Sequence, residues 1–406
     1  MDSLINAAAR ALAQGDPFSA LKCVALRDHA PALALRGIAM AQLGELTRAR
    51  VLLRSAVSAF GPKEAVARAR CVIAEAEIAI VTRDLAWPVN LIDEARITLE
   101  KHGDRINATH ALYIKIRRLL LLGSLDDAER ELAGLNPARL PPPLRTAHEL
   151  AVAGIAIRRL QTKVAQSALS RARRAAQHAR IPALISEVES ASTVMRQPVA
   201  RLTMRGEAQL LLLEDIEVLL ASKTFVIDAC RFAVREANTV VSLARRPVLF
   251  TLARELGEAW PGDVPRETLI KRAFRSRQID ESYRVRLRVE IARLRQLMRE
   301  LAGVNATKQG FVLVPRRARK VAVLAHPVEE KHTVVLALLA DGEAWSTSAL
   351  ALALKTSQRT VQRALNTLVT EGKVQAFGRG RSRRWRFQPV PGFATTLLLP
   401  TTLPSD

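Results

Sequence analysis

The chain has 406 residues, which at about 150 residues per domain predicts two to four domains. It carries 62 Lys and Arg against 39 Asp and Glu, a net charge of +23 that favours nucleic acid or an anionic membrane surface as partner. Aromatic residues make up only 4%, which argues against binding of single strands through stacked bases. The sequence shows no long apolar run and no signal peptide, so we expect no membrane span and a cytoplasmic location.

Metal and enzyme motifs are missing from the sequence. Cys23, Cys71 and Cys230 are too few and too widely spaced for a disulfide framework or a zinc site. There is no glycine-rich phosphate loop, no His-Glu-x-x-His and no Gly-x-Ser-x-Gly, and the seven histidines have no metal-ligand spacing. We therefore predict no catalytic residue, no metal and no cofactor, and we do not expect an enzyme.

Residues 1–222 have the pattern of helix pairs joined by glycine turns. Gly15, Gly44 and Gly123 are each followed, five residues later, by an alanine. A glycine that ends one helix and a small residue that lets the next helix pack closely resemble the tetratricopeptide repeat. The resemblance implies an α-solenoid that serves dimerisation or binds a peptide or protein effector. An ordinary helical bundle is the alternative, and residues 208–220 are predicted to form the closing helix.

The positive charge is concentrated after the predicted solenoid. Residues 224–388 contain 31 basic and 15 acidic side chains, a net charge of +16 out of the total of +23. We expect this stretch to contact the polyanion.

Residues 223–318 begin with β-rich sequence and continue with three helical segments and a Gly-containing hairpin at 304–314. The helices are predicted at 248–259, 265–274 and 280–301. In this order the elements resemble the OmpR/PhoB-type winged-helix effector domain. The resemblance implies that the third helix enters the DNA major groove and that the hairpin lies along the backbone or minor groove.

The third of these helices is rich in arginine, which suits bidentate contacts to guanine and to phosphate. Leu287, Ile291 and Leu294 form its apolar face. The candidate DNA-binding residues on the other faces and on the hairpin are Arg284, Arg286, Arg288, Arg293, Gln296 and Lys308. The alternative is that arginine is simply abundant, with 50 Arg against 12 Lys in the chain.

Residues 325–388 repeat this architecture in another style. Helices are predicted at 331–340, 349–354 and 358–370, with Ser346 as an N-cap and a basic hairpin tip at 378–384. The order resembles the helix-turn-helix of small winged repressors, whose recognition helix contacts base edges through its N-terminal residues.

Two groups of candidate residues follow from this second resemblance. The base-reading candidates are Ser357, Gln358, Arg359, Thr360, Gln362 and Arg363. The candidates for phosphate or minor-groove contacts on the wing are Arg379, Arg381, Arg383 and Arg384. A flexible RNA-binding Gly-Arg segment is the alternative for the wing.

The sequence thus predicts a mainly α protein, with an N-terminal α-solenoid of helix pairs, two C-terminal α+β winged-helix domains and a tail at 389–406. The expected function is that of a sequence-specific, double-stranded DNA-binding transcriptional regulator, homodimeric and associated with the nucleoid. The alternative is a helical-repeat adaptor that binds nucleic acid without sequence preference, in genome maintenance or defence against foreign DNA. RNA binding is the weaker third hypothesis, because these folds suit a duplex major groove.

Overall fold

The computed structural model describes most of the chain between residues 3 and 387. The described ranges are 3–82, 84–243, 246–274, 280–327, 332–339, 344–354, 356–370, 374–378, 380 and 383–387, so the tail at 389–406 lies outside them. The chain is mainly helical, as the sequence predicts. It divides into two compact units, unit 1 with residues 1–159, 163–193 and the C-terminal part from 334, and unit 2 with residues 160–162 and 194–333.

Within the described residues from 3 to 193, the N-terminal part of unit 1 has eleven helices and a short 3₁₀ turn at Pro137–Arg139. The helices are α1 (Ser3–Ala13), α2 (Pro17–Val24), α3 (Ala30–Gln42), α4 (Leu46–Ala59), α5 (Ala65–Val81), α6 (Asn90–Lys101), α7 (Arg105–Leu122), α8 (Leu125–Ala133), α9 (Pro142–Arg158), α10 (Thr162–Ala179) and α11 (Pro182–Thr193). Neighbours along the chain pack on one another, as in α1 with α2 and α3 with α4.

In the helix pairs of unit 1, glycines form the turns and small alanines lie where the helices pack closely. Gly15, Gly44 and Gly123 adopt positive φ angles of 76°, 85° and 71°, which glycine tolerates best. The alanines that follow, at positions 20, 49 and 128, are all fully buried. Each predicted turn therefore stops a helix, and each predicted alanine allows close packing of the next.

The C-terminal part of unit 1 contains three short helices and a two-stranded sheet: α16 (Thr333–Leu339), α17 (Thr347–Ala353), α18 (Gln358–Thr370), β10 (Val374–Phe377) and β11 (Arg384–Phe387). These elements occur in the predicted order. Ser346 caps α17 by accepting a hydrogen bond from the Ala349 N–H at 3.1 Å. Trp345 and Trp385 are fully buried, and their backbones exchange hydrogen bonds of 2.7 and 2.8 Å.

A single hydrophobic core joins these C-terminal elements to helices α5–α7. Val361, Leu365 and Leu368 on the apolar face of α18 belong to the same buried cluster as Ile80 of α5 and Ile114 of α7. The core of α16–α18 is therefore shared with helices α5–α7 rather than closed on itself.

Unit 2 contains both strands and helices. Its elements are β1 (Ala200–Met204), β2 (Glu207–Leu211), α12 (Leu213–Ala221), β3 (Phe225–Asp228), β4 (Ala233–Glu236), β5 (Thr239–Ser242), α13 (Pro247–Glu258), β6 (Val264–Pro265), α14 (Arg266–Phe274), α15 (Glu281–Leu297), β7 (Ala302–Ala306), β8 (Gly310–Pro315) and β9 (Val321–Ala325). A six-stranded sheet has the order β2-β1-β9-β3-β4-β5, and a three-stranded sheet has the order β6-β8-β7.

The predicted helix at 208–220 is wrong in its first half. Residues 207–211 form β2, which pairs antiparallel with β1, and the helix begins only at Leu213. Arg205 and Gly206 both adopt positive φ angles, 51° and 83°, so the chain turns back as a tight hairpin before it can enter a helix.

Strand β9 lies at the centre of the large sheet. It pairs parallel with β3 and antiparallel with β1, and all five of its residues are buried. The domain boundary predicted at residue 318 leaves this strand out, although it holds the two halves of the sheet together.

Three helices and a hairpin complete unit 2. Apolar side chains of α13, α14 and α15 form one buried cluster, and α15 contributes Leu287, Ile291 and Leu294 to it. Gly310 lies so close to β6 that an added Cβ would stand 1.7 Å from the Val264 carbonyl oxygen, so only glycine fits where the hairpin joins the sheet. None of the helices in the described ranges is both long and apolar enough to span a membrane.

Candidate nucleic-acid interface

Helix α15 presents the first group of predicted residues. Asp280 begins the helix by accepting hydrogen bonds from the Ser282 hydroxyl at 2.5 Å and the Tyr283 N–H at 3.1 Å. These bonds hold the pKa of the Asp280 carboxyl below its usual range. The first turn is thus fixed, which sets the direction in which the following side chains leave the helix.

The arginines of α15 are exposed, yet most of them already contact a neighbour. Arg284 forms an ion pair with Glu281 at 3.4 Å, and Arg293 forms one with Glu290 at 2.8 Å. The guanidinium of Arg286 lies over the Phe274 ring at 4.5 Å from its centre. Such exposed contacts are worth little free energy each, but they limit the positions the side chains adopt.

Two candidates on α15, Arg288 and Gln296, are exposed and have no side-chain partner among the described residues. Arg295 differs, because its Nε donates to the Val304 carbonyl at 2.6 Å and ties the helix to β7. Arg288 is therefore available to a ligand, whereas Arg295 supports the fold.

Lys308 lies at the turn of the β7–β8 hairpin, and its side chain is exposed. Arg266 holds the turn in place from α14, because it donates to the carbonyls of Thr307 and Lys308 at 2.9 and 3.0 Å. The Thr307 hydroxyl in turn accepts from the Gly310 N–H at 2.8 Å and donates to Asp263. The hairpin thus carries its one lysine on a well-supported turn.

A groove of about 910 Å³ runs between the start of α13 and the second half of α15. Its cationic lining comes from Arg246, Arg293 and Arg299, and its acidic lining from Glu290 and Glu300. Sequence reasoning missed Arg246 as a site residue because it precedes Pro247 and reads as a turn. The usable signal was that Pro at the first helical position places the preceding residue at the helix N-terminus.

Helix α18 presents the second group. Ser357 caps it by accepting from the Thr360 N–H at 3.1 Å, and the two hydroxyls lie 2.9 Å apart. The amide of Gln362 donates to Asn366 at 2.9 Å and accepts from the Thr347 hydroxyl at 3.3 Å. Three of the six predicted base readers are thus held in place by local hydrogen bonds.

Arg359 and Arg363 are exposed and have no side-chain partner within the described part of the chain, and Gln358 is exposed beside them. Arg359 and Arg363 lie four residues apart on the helix face opposite Val361, Leu365 and Leu368. Asn366 continues the same row, and sequence reasoning missed it. Its spacing of three from Arg363 was the available signal.

The hairpin after α18 carries the predicted wing residues, of which two are described. Arg383 is exposed, and its guanidinium lies 4.4 Å from the centre of the Trp385 ring. Arg384 is half-buried, and burial lowers the pKa of its guanidinium, while the charge of Asp84 acts in the opposite direction. Arg384 therefore lies near Asp84, between α5 and α6 of its own unit. Arg379 and Arg381 lie outside the described residues.

The candidate residues thus fall into two groups, one in each unit. The residues of α15 and Lys308 belong to unit 2, and the residues of α18 and its hairpin belong to unit 1. In the described ranges, no group of three or more His, Cys, Asp or Glu side chains is arranged to hold a metal ion. Comparison of the chain with protein-family models, curated proteins and solved structures found no match.

Proposed function

We propose that the chain is a sequence-specific, double-stranded DNA-binding transcriptional regulator with two winged helices. The observation that carries this proposal is the same arrangement in both units: an arginine-bearing helix with one buried face, preceded by a shorter helix and followed by a hairpin. An α-helix with exposed arginines fits the width of the major groove and can reach the edges of guanine.

The two helices differ in what their exposed side chains can do. On α18, Gln362 is oriented by Thr347 and Asn366 beside two unpaired arginines, an arrangement suited to base edges. On α15, the arginines spread around the exposed faces, an arrangement suited to phosphates on both sides of a groove. We therefore assign sequence reading mainly to α18 and affinity mainly to α15.

The helical repeats complete the proposal. An α-solenoid in unit 1 would serve dimerisation or effector binding, and a homodimer would bind two half-sites about one helical turn apart. The proposed location is the cytoplasm, at the nucleoid.

Selection of bound duplexes from a random library by the full chain tests the proposal. A regulator enriches one motif and binds it on the order of a thousandfold or more tighter than random duplex at the same salt. If every sequence bound alike, with an affinity that depends only on salt, the chain would be the sequence-independent adaptor.

A matched variant separates the proposed interface from the general positive charge. Arg173 is exposed on α10 and far in sequence from both groups, so Arg173→Ala removes the same charge as Arg359→Ala. We expect Arg359→Ala to weaken binding to the selected motif about tenfold or more, as for one lost guanine contact, and Arg173→Ala to leave it unchanged. Equal losses in both variants would contradict the interface.

A further inference from the structure

Helix α15 carries an apolar row on the side that faces away from the core of unit 2. Val285 and Val289 are 50% and 44% exposed, and Ala292 is exposed about one turn further along. At about 3.6 residues per turn, these three positions lie opposite the buried leucine and isoleucine face of the helix. We call the row of Val285, Val289 and Ala292 the crest. Because α15 packs into unit 2 through its opposite side, the crest is open to a partner.

Arginines border the crest on both of its long sides. Arg284 and Arg288 follow one side of the row, and Arg286 and Arg293 follow the other. The two glutamates of the helix are each paired with one of these arginines. With five arginines against two glutamates, α15 has a net charge of +3. The crest is therefore an apolar strip between two rows of positive charge.

This arrangement favours a DNA duplex as the partner that covers the crest. The major groove is about 12 Å wide between two rows of phosphates, and a helix with its side chains measures about 10–12 Å across. Valine and alanine side chains are short, so the helix can approach the base edges closely. A helix that binds a membrane surface instead buries large residues such as Trp, Phe and Leu, and the crest contains none of these. With the flanking arginines on the phosphates, the crest faces the floor of the groove.

The floor of the major groove offers one apolar group, the C5-methyl group of thymine. Val285 and Val289 are four residues apart, which is about 6 Å along the helix, and successive base pairs are about 3.4 Å apart. The two valines therefore match methyl groups that lie about two base-pair steps apart.

We propose that the crest of α15 recognises thymine methyl groups in the major groove and gives unit 2 a preference for A·T base pairs. The flanking arginines supply affinity that is independent of sequence, and the valines supply the preference. The inference rests on the proposed DNA binding, and it adds a base preference to a helix whose main contribution is affinity.

Binding of the full chain to two alternating duplexes at the same salt tests the inference. Poly(dA-dT) presents one thymine methyl group at every base pair, and poly(dA-dU) differs from it only by the absence of that methyl group. We expect poly(dA-dT) to bind about fourfold to fifteenfold tighter, as for one or two methyl groups removed from water. Equal affinities would overturn the inference and leave the DNA proposal standing. Failure of both duplexes to bind would overturn the DNA proposal, and the inference with it.

A double variant assigns the methyl contact to α15. Val285→Ala combined with Val289→Ala shortens both side chains without a change of charge, and alanine favours the helix, so the fold should be retained. We expect this variant to lose most of the preference for poly(dA-dT) over poly(dA-dU). Val51 is exposed on α4, so Val51→Ala is the matched control and should keep the full preference. A preference that survives the double variant would place the methyl contact elsewhere and contradict the inference.

A measurement on the unmodified sequence separates a duplex from a membrane surface as the partner. In protein with labelled valine methyl groups, a short alternating dA-dT duplex should shift the NMR signals of Val285 and Val289 and leave that of Val51 in place. Vesicles of phosphatidylglycerol should leave all three signals in place. Crest signals that respond to the vesicles but not to the duplex would overturn the inference.

Discussion

Helices α15 and α18 both have one apolar face and exposed arginines, but they pack into the molecule differently. Helix α15 packs on a core that belongs to unit 2 alone, and three of its arginines contact Glu281, Phe274 and Glu290. Helix α18 packs on a core shared with α5 and α7, and Arg359 and Arg363 make no side-chain contact with described residues. The difference indicates that one helix is supported within unit 2, whereas the other depends on a core shared with α5–α7 of unit 1.

The largest expected effect concerns this dependence of α18. Trp385 is fully buried in the shared core, and its Nε1 donates to the Thr347 hydroxyl at 2.9 Å. Trp385→Ala should lower the free energy of unfolding of unit 1 by about 3–5 kcal/mol. Hydrogen exchange followed by mass spectrometry should show faster exchange in α5 and α7 as well as in α18. Exchange that increases in α16–α18 alone would mean that the cores are separate.

The next effect concerns the local support of α15. At Gly310 an added Cβ would stand 1.7 Å from the Val264 carbonyl oxygen, so Gly310→Ala must push the hairpin away from β6. We expect a loss of about 1–3 kcal/mol in unfolding free energy, measured by chemical denaturation. Gly303, in the same hairpin, has its nearest neighbours at 3.8 and 3.9 Å, so Gly303→Ala should cost clearly less. Equal losses would show that the close approach to β6 is unimportant.

A smaller effect distinguishes two arginines on α15 itself. Arg288 has no partner in the described ranges, so Arg288→Ala should lower the slope of log affinity against log salt by about one without changing stability. Arg295 donates to the Val304 carbonyl, so Arg295→Ala should reduce stability by about 1 kcal/mol and leave the salt slope unchanged. The reverse pattern would mean that the two side chains have been assigned the wrong roles.

The local elements of this fold were predictable from the sequence. Turn glycines, the Ser346 cap and the apolar spacing of α18 are all local signals, and α18 spans the predicted 358–370. The exposed rows on both helices followed from the same periodicity.

Long-range pairing was not predictable in the same way. The apolar run at 321–325 indicates a buried strand, but nothing local shows that its partners are β1 and β3, about one hundred residues earlier. Likewise, the apolar face of α18 does not reveal that the core to which it belongs continues into α5, α6 and α7. Boundaries placed at 222 and 318 therefore follow changes in composition and cut across the large sheet.

The division of roles between the two helices is tested most directly by one ratio, the affinity for the selected motif divided by that for random duplex at fixed salt. Arg363→Ala on α18 should lower this ratio by about tenfold or more, because it removes a contact worth about 1–3 kcal/mol to one base pair. Arg288→Ala on α15 should weaken both affinities together and leave the ratio unchanged. If Arg363→Ala left the ratio unchanged, or if Arg288→Ala lowered it as much, the assignment of sequence reading to α18 would be wrong.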